Sequence, residues 1–276
     1  MDVELQGVDF AYPAGDPVLD GLDLVIPGGQ SVALVGANGS GKTTLARHLN
    51  GLLRPTHGRV LLDGVDVAGR RVADLAASVA VGFQDPDRQV FSRSVRAEVE
   101  FGPRRLGFSA ERREEAVSEA LAATGLADAA DLHPHDLGES RRMLLALASL
   151  LAMQTAVLVL DEPTIGLDAA GEARVARVVA TRRAASGTVI AISHDMRFAA
   201  ETFERIVVLE RGRVVLDGSP AEVFAEGSWP LVRQAGLEPP EAALLGARLG
   251  LGSTPTEAAL LAAARRPLPH RNCTAT

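Results

Sequence analysis

Aromatic residues and cysteine are scarce in this sequence. Its 276 residues include eight Phe, one Trp and one Tyr, so aromatic residues make up only 4% of the chain. The core must therefore consist mainly of Ala, Leu and Val. The single cysteine, Cys273, excludes an intrachain disulfide and fits a protein of the reducing cytoplasm.

Positive charge is not in excess. The formal net charge is -7, and phosphate backbones are bound by clustered Lys and Arg, so we expect no nucleic-acid partner. The first residues, from Met1 to Glu4, are acidic and are not followed by an apolar segment. A signal peptide is therefore not expected.

One apolar stretch, residues 143–160, has about the length of a membrane span. Gln154 and Thr155 interrupt it. The part before them is rich in Leu and Ala, and the part after them is a short β-branched run. We interpret the stretch as a helix, a tight connection and a central strand.

The order of elements predicts an α/β fold. Short apolar strands are expected at 31–35, 79–83, 156–160, 188–192 and 206–209, with helices at 43–53 and 170–185. Apolar strands separated by helices predict a mostly parallel sheet that is covered on both faces. Residues 92–153 are predicted to form a helical insertion. We predict one main domain over 1–228 and a C-terminal helical extension with a frayed tail over 229–276.

A phosphate-binding loop follows the first buried strand. The run GANGSGKT at 36–43 matches the pattern G-x-x-x-x-G-K-[ST], between a predicted strand and a predicted helix. Its backbone amides and the helix N-terminus would bind phosphate oxygens of ATP, with Lys42 at the β- and γ-phosphates and Thr43 on Mg²⁺. The predicted nucleotide-binding residues are Gly36, Asn38, Gly39, Ser40, Gly41, Lys42, Thr43 and Thr44.

Two carboxylates follow a second buried strand. The apolar residues 157–160 lead directly into Asp161 and Glu162. Asp161 would hold Mg²⁺ through water, and Glu162 would act as the general base for the attacking water. Alone this pattern is weak evidence, but downstream of a phosphate loop it becomes strong evidence for an ATPase.

With these motifs in this order, residues 1–228 resemble an ABC ATPase, which implies a P-loop NTPase fold with an N-terminal antiparallel β part. The resemblance implies that Gln84 contacts Mg²⁺ and the attacking water, and that His194 contacts the γ-phosphate. It places Asp168 in the loop that faces the opposing ATP site of a dimer. Tyr12 lies where this family stacks an aromatic ring on adenine.

The run QDPDRQVF at 84–91, together with EFGP at 100–103 and LG at 106–107, is similar to ATPases of energy-coupling factor transporters. That resemblance implies uptake of a vitamin or a transition-metal ion, with cobalt, nickel and biotin all open. It implies a T-type transmembrane subunit, a substrate-capture subunit and a second ATPase subunit, either the same chain or a different one. The location implied is the cytoplasmic face of the cell membrane.

The family's signature, L-S-G-G-Q, is altered here. Its place is taken by Leu137, Gly138, Glu139, Ser140 and Arg141. The serine that contacts the γ-phosphate of the opposing site is replaced by glycine, and a carboxylate stands where an anion should bind. The run is either a tolerated variant, with Ser140 supplying the contact or Arg141 neutralising Glu139, or an impaired signature.

Two other functions remain open. A non-transport ABC ATPase of translation or DNA repair usually has two ATPase domains or long inserts, whereas this sequence has one phosphate loop. The altered signature also allows a nucleotide-dependent scaffold that does not hydrolyse ATP. The presence of both Glu162 and His194 argues against the scaffold.

Overall fold

The computed structural model describes residues 1–13, 15–82 and 90–265. Gln84 and most of the run at 84–91 therefore lie outside the described residues, as do Cys273 and most of the predicted tail. The strands are β1 (Val3–Ala11), β2 (Pro17–Ile26), β3 (Ser31–Val35), β4 (His57–Leu62), β5 (Val65–Asp66), β6 (Val79–Gly82), β7 (Val157–Asp161), β8 (Thr188–Ile192), β9 (Arg205–Glu210) and β10 (Arg213–Gly218).

Eleven helices are found among the described residues. They are α1 (Lys42–Leu49), α2 (Val72–Leu75), α3 (Val95–Arg105), α4 (Ala110–Thr124), α5 (Glu139–Ala152), α6 (Ala169–Ala184), α7 (Met196–Thr202), α8 (Pro220–Val223), α9 (Trp229–Gln234), α10 (Glu241–Arg248) and α11 (Glu257–Ala264).

The central sheet has six strands in the order β10-β9-β3-β8-β7-β6, and only β10 runs antiparallel to its neighbour. Every residue of β3, β7 and β8 is buried, as expected for strands covered on both faces. The predicted α/β class with a mostly parallel sheet is confirmed. The interpretation of 143–160 as a helix, a short connection and a strand is also confirmed.

A second sheet of four strands, in the order β2-β1-β4-β5, is antiparallel and forms the predicted N-terminal β part. The second half of β2 alternates between buried and exposed residues, so only one of its faces meets the core. Apolar side chains of β1 and β2 pack with α1 and with one face of the central sheet. This core fixes the start of α1, where the phosphate loop ends.

The helical insertion consists of α3, α4 and α5 rather than one continuous run. The expectation of helix throughout 92–153 was wrong for 106–109 and for 125–138. Ser109 caps a new helix by accepting from Arg112 N, and Pro134 lies in a short 3-10 turn. The helix expected at 43–53 likewise ends at Leu49, because the helix breaker Gly51 follows.

No helix among the described residues is long and apolar enough to cross a membrane.

The C-terminal extension packs against the main core. Val232, Ala235, Leu237 and Ala243 are buried in the same apolar cluster as the helical insertion and the central sheet. The boundary at 228 stays a prediction, but the extension does not form a core of its own within the described residues.

We predict that Val232→Ala destabilises the protein by about 2 kcal/mol, because it removes buried methyl groups from the shared core. Val232 is 0% exposed, whereas its neighbour Leu231 is 40% exposed. Leu231→Ala is therefore the matched control and should cost less than about 0.5 kcal/mol. Chemical denaturation of both variants measures the difference. Equal stability losses would contradict the shared core.

Candidate functional site

The phosphate loop leaves the edge of the central sheet at the end of β3. Gly36 begins it where a side chain has no room, since a Cβ there would lie 2.3 Å from the carbonyl oxygen of Leu209. The loop is also tied at its other end, because Gly212 N donates to Ser40 O at 3.0 Å. Neighbouring strands therefore hold the loop close to the sheet and leave α1 to begin at Lys42.

Lys42 is buried inside the loop. Its Nζ donates to the carbonyl oxygens of Gly36 at 2.7 Å and Ala37 at 2.9 Å. Burial lowers the pKa of Lys42, and the carboxylates of Glu162 and Asp161 oppose that shift. The ammonium group therefore lies where it can meet a phosphate and is poorly hydrated, which strengthens its attraction for an anion.

Thr43 and Asp161 meet at the predicted metal position. The Thr43 hydroxyl donates to Asp161 Oδ2 at 2.9 Å, although the two residues are far apart in sequence. Burial raises the pKa of Asp161, the Thr43 hydrogen bond opposes this shift, and the Glu162 carboxylate adds to it. A buried carboxylate beside a hydroxyl fits Mg²⁺, which prefers hard oxygen ligands.

The described residues contain no cluster of three or more His, Cys, Asp or Glu side chains that could hold a metal alone.

Glu162 and His194 form a second pair at the same edge. His194 Nδ1 lies 2.8 Å from Glu162 Oε2, and the His194 backbone N–H donates to the same oxygen at 3.3 Å. Glu162 N donates to Ile192 O at 2.9 Å. Glu162 has a φ of 54°, in the left-handed region that costs energy for a residue with a side chain. The protein thus maintains a strained backbone at this carboxylate.

Tyr12 lies beside the loop. It is 38% exposed, its ring contacts Phe10 edge-on at 5.0 Å, and its hydroxyl is 3.3 Å from Thr44 Oγ1. Tyr12, Lys42, Thr43, Asp161 and Glu162 are among the residues that line one cavity of about 310 Å³. The size suits a small ligand, and the adenine-stacking role of Tyr12 stays a prediction.

The altered signature occupies the start of α5. Leu137 is buried, Gly138 is the N-cap and Glu139 begins the helix. Arg141 Nη2 pairs with Asp128 Oδ1 at 2.6 Å. The suggestion that Arg141 neutralises Glu139 is therefore wrong in this structure. The reason is that Asp128, in a 3-10 turn ahead of α5, takes the guanidinium instead.

The Glu139 carboxylate points toward the loop that contains Asp168. A Cβ placed on Gly166 would lie 3.1 Å from Glu139 Oε1. Asp168 itself caps α6, since its Oδ1 accepts from Gly171 N at 2.8 Å. Ser140 is in the first turn of α5. None of residues 137–141 is among the described residues that line the 310 Å³ cavity, so their role toward an opposing site stays a prediction.

A larger groove of about 810 Å³ lies on the other side of Glu162 and His194. The start of the phosphate loop forms one wall, and the C-terminal extension, at 236–242 and 255–257, forms another. Sequence reasoning missed this wall. Nothing in the extension resembles a nucleotide-binding motif, and its place beside the loop depends on tertiary packing alone.

Comparison with known proteins agrees with this geometry. The family profile described as ABC transporter matches residues 19–165. The energy-coupling factor transporter ATP-binding protein EcfA of Methanothermobacter thermautotrophicus is 37% identical over 249 residues, covering 90% of this chain and 79% of that protein. The cobalt import ATP-binding protein CbiO of Rhodobacter capsulatus is 39% identical over 237 residues, covering 85% of this chain and 84% of that protein.

Among solved structures, cbiO1 from Clostridium perfringens, part of the ABC transporter complex cbiONQ, is similar to this chain. It superposes with a TM-score of 0.76 at 32% identity and covers 90% of this chain and 98% of its own. The fold is therefore common to this chain and to that protein.

We predict that Asp161→Asn stabilises the protein without nucleotide, and that the gain grows as the pH rises above about 4. The raised pKa of Asp161 means that unfolding releases a proton in this range, so ionisation of this carboxyl lowers stability as pH increases. Denaturant titrations between pH 4.5 and 7.5 measure the gain. Asp168→Asn, at an exposed helix cap, is the matched control, and a gain for Asp161→Asn that is independent of pH would contradict the assignment.

Proposed function

Because this chain belongs to the ABC transporter family of ATPases, we propose that it energises substrate uptake by a membrane transporter of the energy-coupling factor class. The observation that carries the proposal is the edge of the central sheet. Three features lie together there: Lys42, the Thr43–Asp161 pair and the Glu162–His194 pair. The two residues of each pair come from different parts of the chain. ATP is the nucleotide that this family binds.

The proposed mechanism assigns each group a task. The loop amides and Lys42 bind the phosphates, and Tyr12 stacks on the base. Thr43 and Asp161, with Gln84, would hold Mg²⁺, which when bound supplies positive charge at the β- and γ-phosphates. The oxygen of the attacking water bonds to the γ-phosphorus while Glu162 takes a proton from it, the bond from that phosphorus to the β–γ bridging oxygen breaks, and ADP and phosphate leave.

His194 orients the general base in this mechanism. Its side chain and its backbone N–H both reach Glu162 Oε2. Among the described residues no such contact is made to Oε1, which is therefore the oxygen proposed to accept from a water molecule. The strained backbone of Glu162 would be maintained because it aims this carboxylate toward the cavity.

We predict that Glu162→Gln lowers ATP turnover of the assembled complex by about 10²- to 10⁴-fold, because the amide accepts no proton. Affinity for MgATP should change little, since Gln keeps the shape and an acceptor for His194. Steady-state phosphate release and calorimetry measure the two quantities. Glu226→Gln, at a residue exposed to solvent, is the control. Undiminished turnover in Glu162→Gln would refute the assignment.

The membrane partner is proposed to dock near Phe91. Phe91 is 65% exposed and contacts Phe101 edge-on at 4.8 Å, and Arg105 lies over the Phe101 ring at 5.4 Å. The buried carboxylate of Glu98 fixes the backbone here by accepting from Phe91 N and Ser92 N. A rigid, exposed aromatic pair suits a protein interface. We assign it to the T-type transmembrane subunit, which would keep the chain at the cytoplasmic face of the membrane.

The transported substrate belongs to another subunit in this proposal. A relative is named for cobalt import, and the class as a whole implies a transition-metal ion or a vitamin. A substrate-capture membrane subunit would choose between them, and this chain would supply only the energy.

Two ATPase subunits would enclose two ATP molecules, with each site completed by the signature of the opposite chain. In this arrangement Glu139 would face the opposing γ-phosphate. Two like unit charges about 4 Å apart repel by about 4 kcal/mol at an effective dielectric of about 20. Because Arg141 pairs with Asp128, Arg141 does not relieve this repulsion. We propose that the site served by this signature is the weaker one when a different chain is the partner.

We predict that Gly138→Ser combined with Glu139→Gly raises turnover of the assembled transporter severalfold. A serine fits at 138, because a Cβ there meets nothing within 4 Å and the φ of −65° is ordinary. Gly138→Ala with Glu139→Gly is the matched control that lacks the hydroxyl. An unchanged or lower rate in the first double variant means that residues 137–141 are a working signature.

A further inference from the structure

The C-terminal extension touches the phosphate loop directly. After α9, Ala235 O accepts a hydrogen bond from Ala37 N at 3.1 Å. Ala37 is the second residue of the loop, and its carbonyl oxygen accepts from Lys42 Nζ at 2.9 Å and from Ser40 N at 3.1 Å. One peptide segment thus connects the extension to the lysine that is proposed to bind the phosphates.

The next residue, Gly236, lies against the same point of the loop. It has a φ of +73°, and a Cβ built on it would lie 2.9 Å from Ala37 Cβ. Carbon atoms in van der Waals contact are about 3.5–4.0 Å apart. An alanine Cβ is fixed to the backbone and cannot rotate away, so a side chain at 236 must displace either the loop or the extension.

The extension is held firmly at this place. Ala235 and Leu237 are buried in the main core. Gln234 Nε2 donates to Glu210 Oε2 at 2.9 Å, and Trp229 Nε1 donates to Phe224 O at 2.9 Å. Ala37 is exposed whereas Ala235 and Leu237 are buried, so we expect the loop rather than the extension to shift when a side chain is placed at 236.

We propose that Ala235 and Gly236 are positioning residues of the ATP site, through which the C-terminal extension sets the conformation of the phosphate loop. This rests on the phosphate-loop assignment made under the proposed function. The proposal adds that nucleotide affinity depends on a segment that lies C-terminal to all of the sequence motifs. A change in the position of the extension would therefore change ATP binding.

The test is a double-mutant cycle on the full-length chain, with affinity measured by fluorescence of methylanthraniloyl-ATP in the presence of Mg²⁺. Gly236→Ala should weaken binding about three- to tenfold. Gly250→Ala is the matched control, since Gly250 has a similar φ of +68° but no atom within 4 Å of its Cβ position. That variant should bind like the wild type.

A rescue variant shows whether the collision between the Cβ atoms of residues 37 and 236 causes the weaker binding. Ala37→Gly removes the colliding carbon, so Gly236→Ala should have little further effect in the Ala37→Gly background. If Gly236→Ala binds like the wild type, or weakens binding equally in both backgrounds, the proposal is overturned. A third variant, Lys42→Ala, tests the proposed function separately. Unchanged ATP affinity in Lys42→Ala would contradict the phosphate-binding role of the loop itself, whatever Gly236→Ala does.

A second measurement uses the wild-type protein, so it does not depend on whether a variant folds. In the wild-type protein without nucleotide, the Ala37 amide should be protected from hydrogen exchange, because it donates to Ala235 O. Exchange as fast as that of an unbonded surface amide would overturn the proposal.

Discussion

The register of three parallel strands at Ile192 is the constraint on which the site depends. In β8, Ile192 pairs with Leu34 of β3 on one side and with Asp161 of β7 on the other. The strands therefore end at the same level, and the residues that follow them meet at one edge of the sheet. A slip of one residue in β7 would turn Asp161 to the opposite face of the sheet and remove the carboxylate from Thr43.

Charge at this edge is unbalanced in the protein alone. Two buried carboxylates, Asp161 and Glu162, lie near one buried ammonium group, that of Lys42. Burial raises the pKa of Asp161 and lowers that of Lys42, so both groups are less stable in their charged forms than they would be in water. In the proposed function, phosphate and Mg²⁺ arriving together would give each of these charges a partner.

Local patterns made the core of the site predictable, because a buried strand, a glycine-rich turn and Lys42 are adjacent in sequence. Contacts set by packing were not predictable. Arg141 follows Glu139 by two residues, but side chains two apart in a helix do not face each other, and Asp128 pairs with Arg141 instead. The hydrogen bond from Ala37 N to Ala235 O joins backbone atoms that are far apart in sequence, so no side-chain motif predicts it. Helix ends within 92–153 depended on caps such as Ser109, which the apolar pattern alone does not specify.

We propose that Thr43 and Asp161 receive the metal that accompanies ATP. Calorimetry of ATP binding with Mg²⁺ and with EDTA, on the wild type and Asp161→Asn, tests it most directly. We predict that Mg²⁺ strengthens binding to the wild type, and that Asp161→Asn loses this gain while binding metal-free ATP at least as tightly, because a repelling carboxylate is gone. An equal gain from Mg²⁺ in both proteins would contradict the claim.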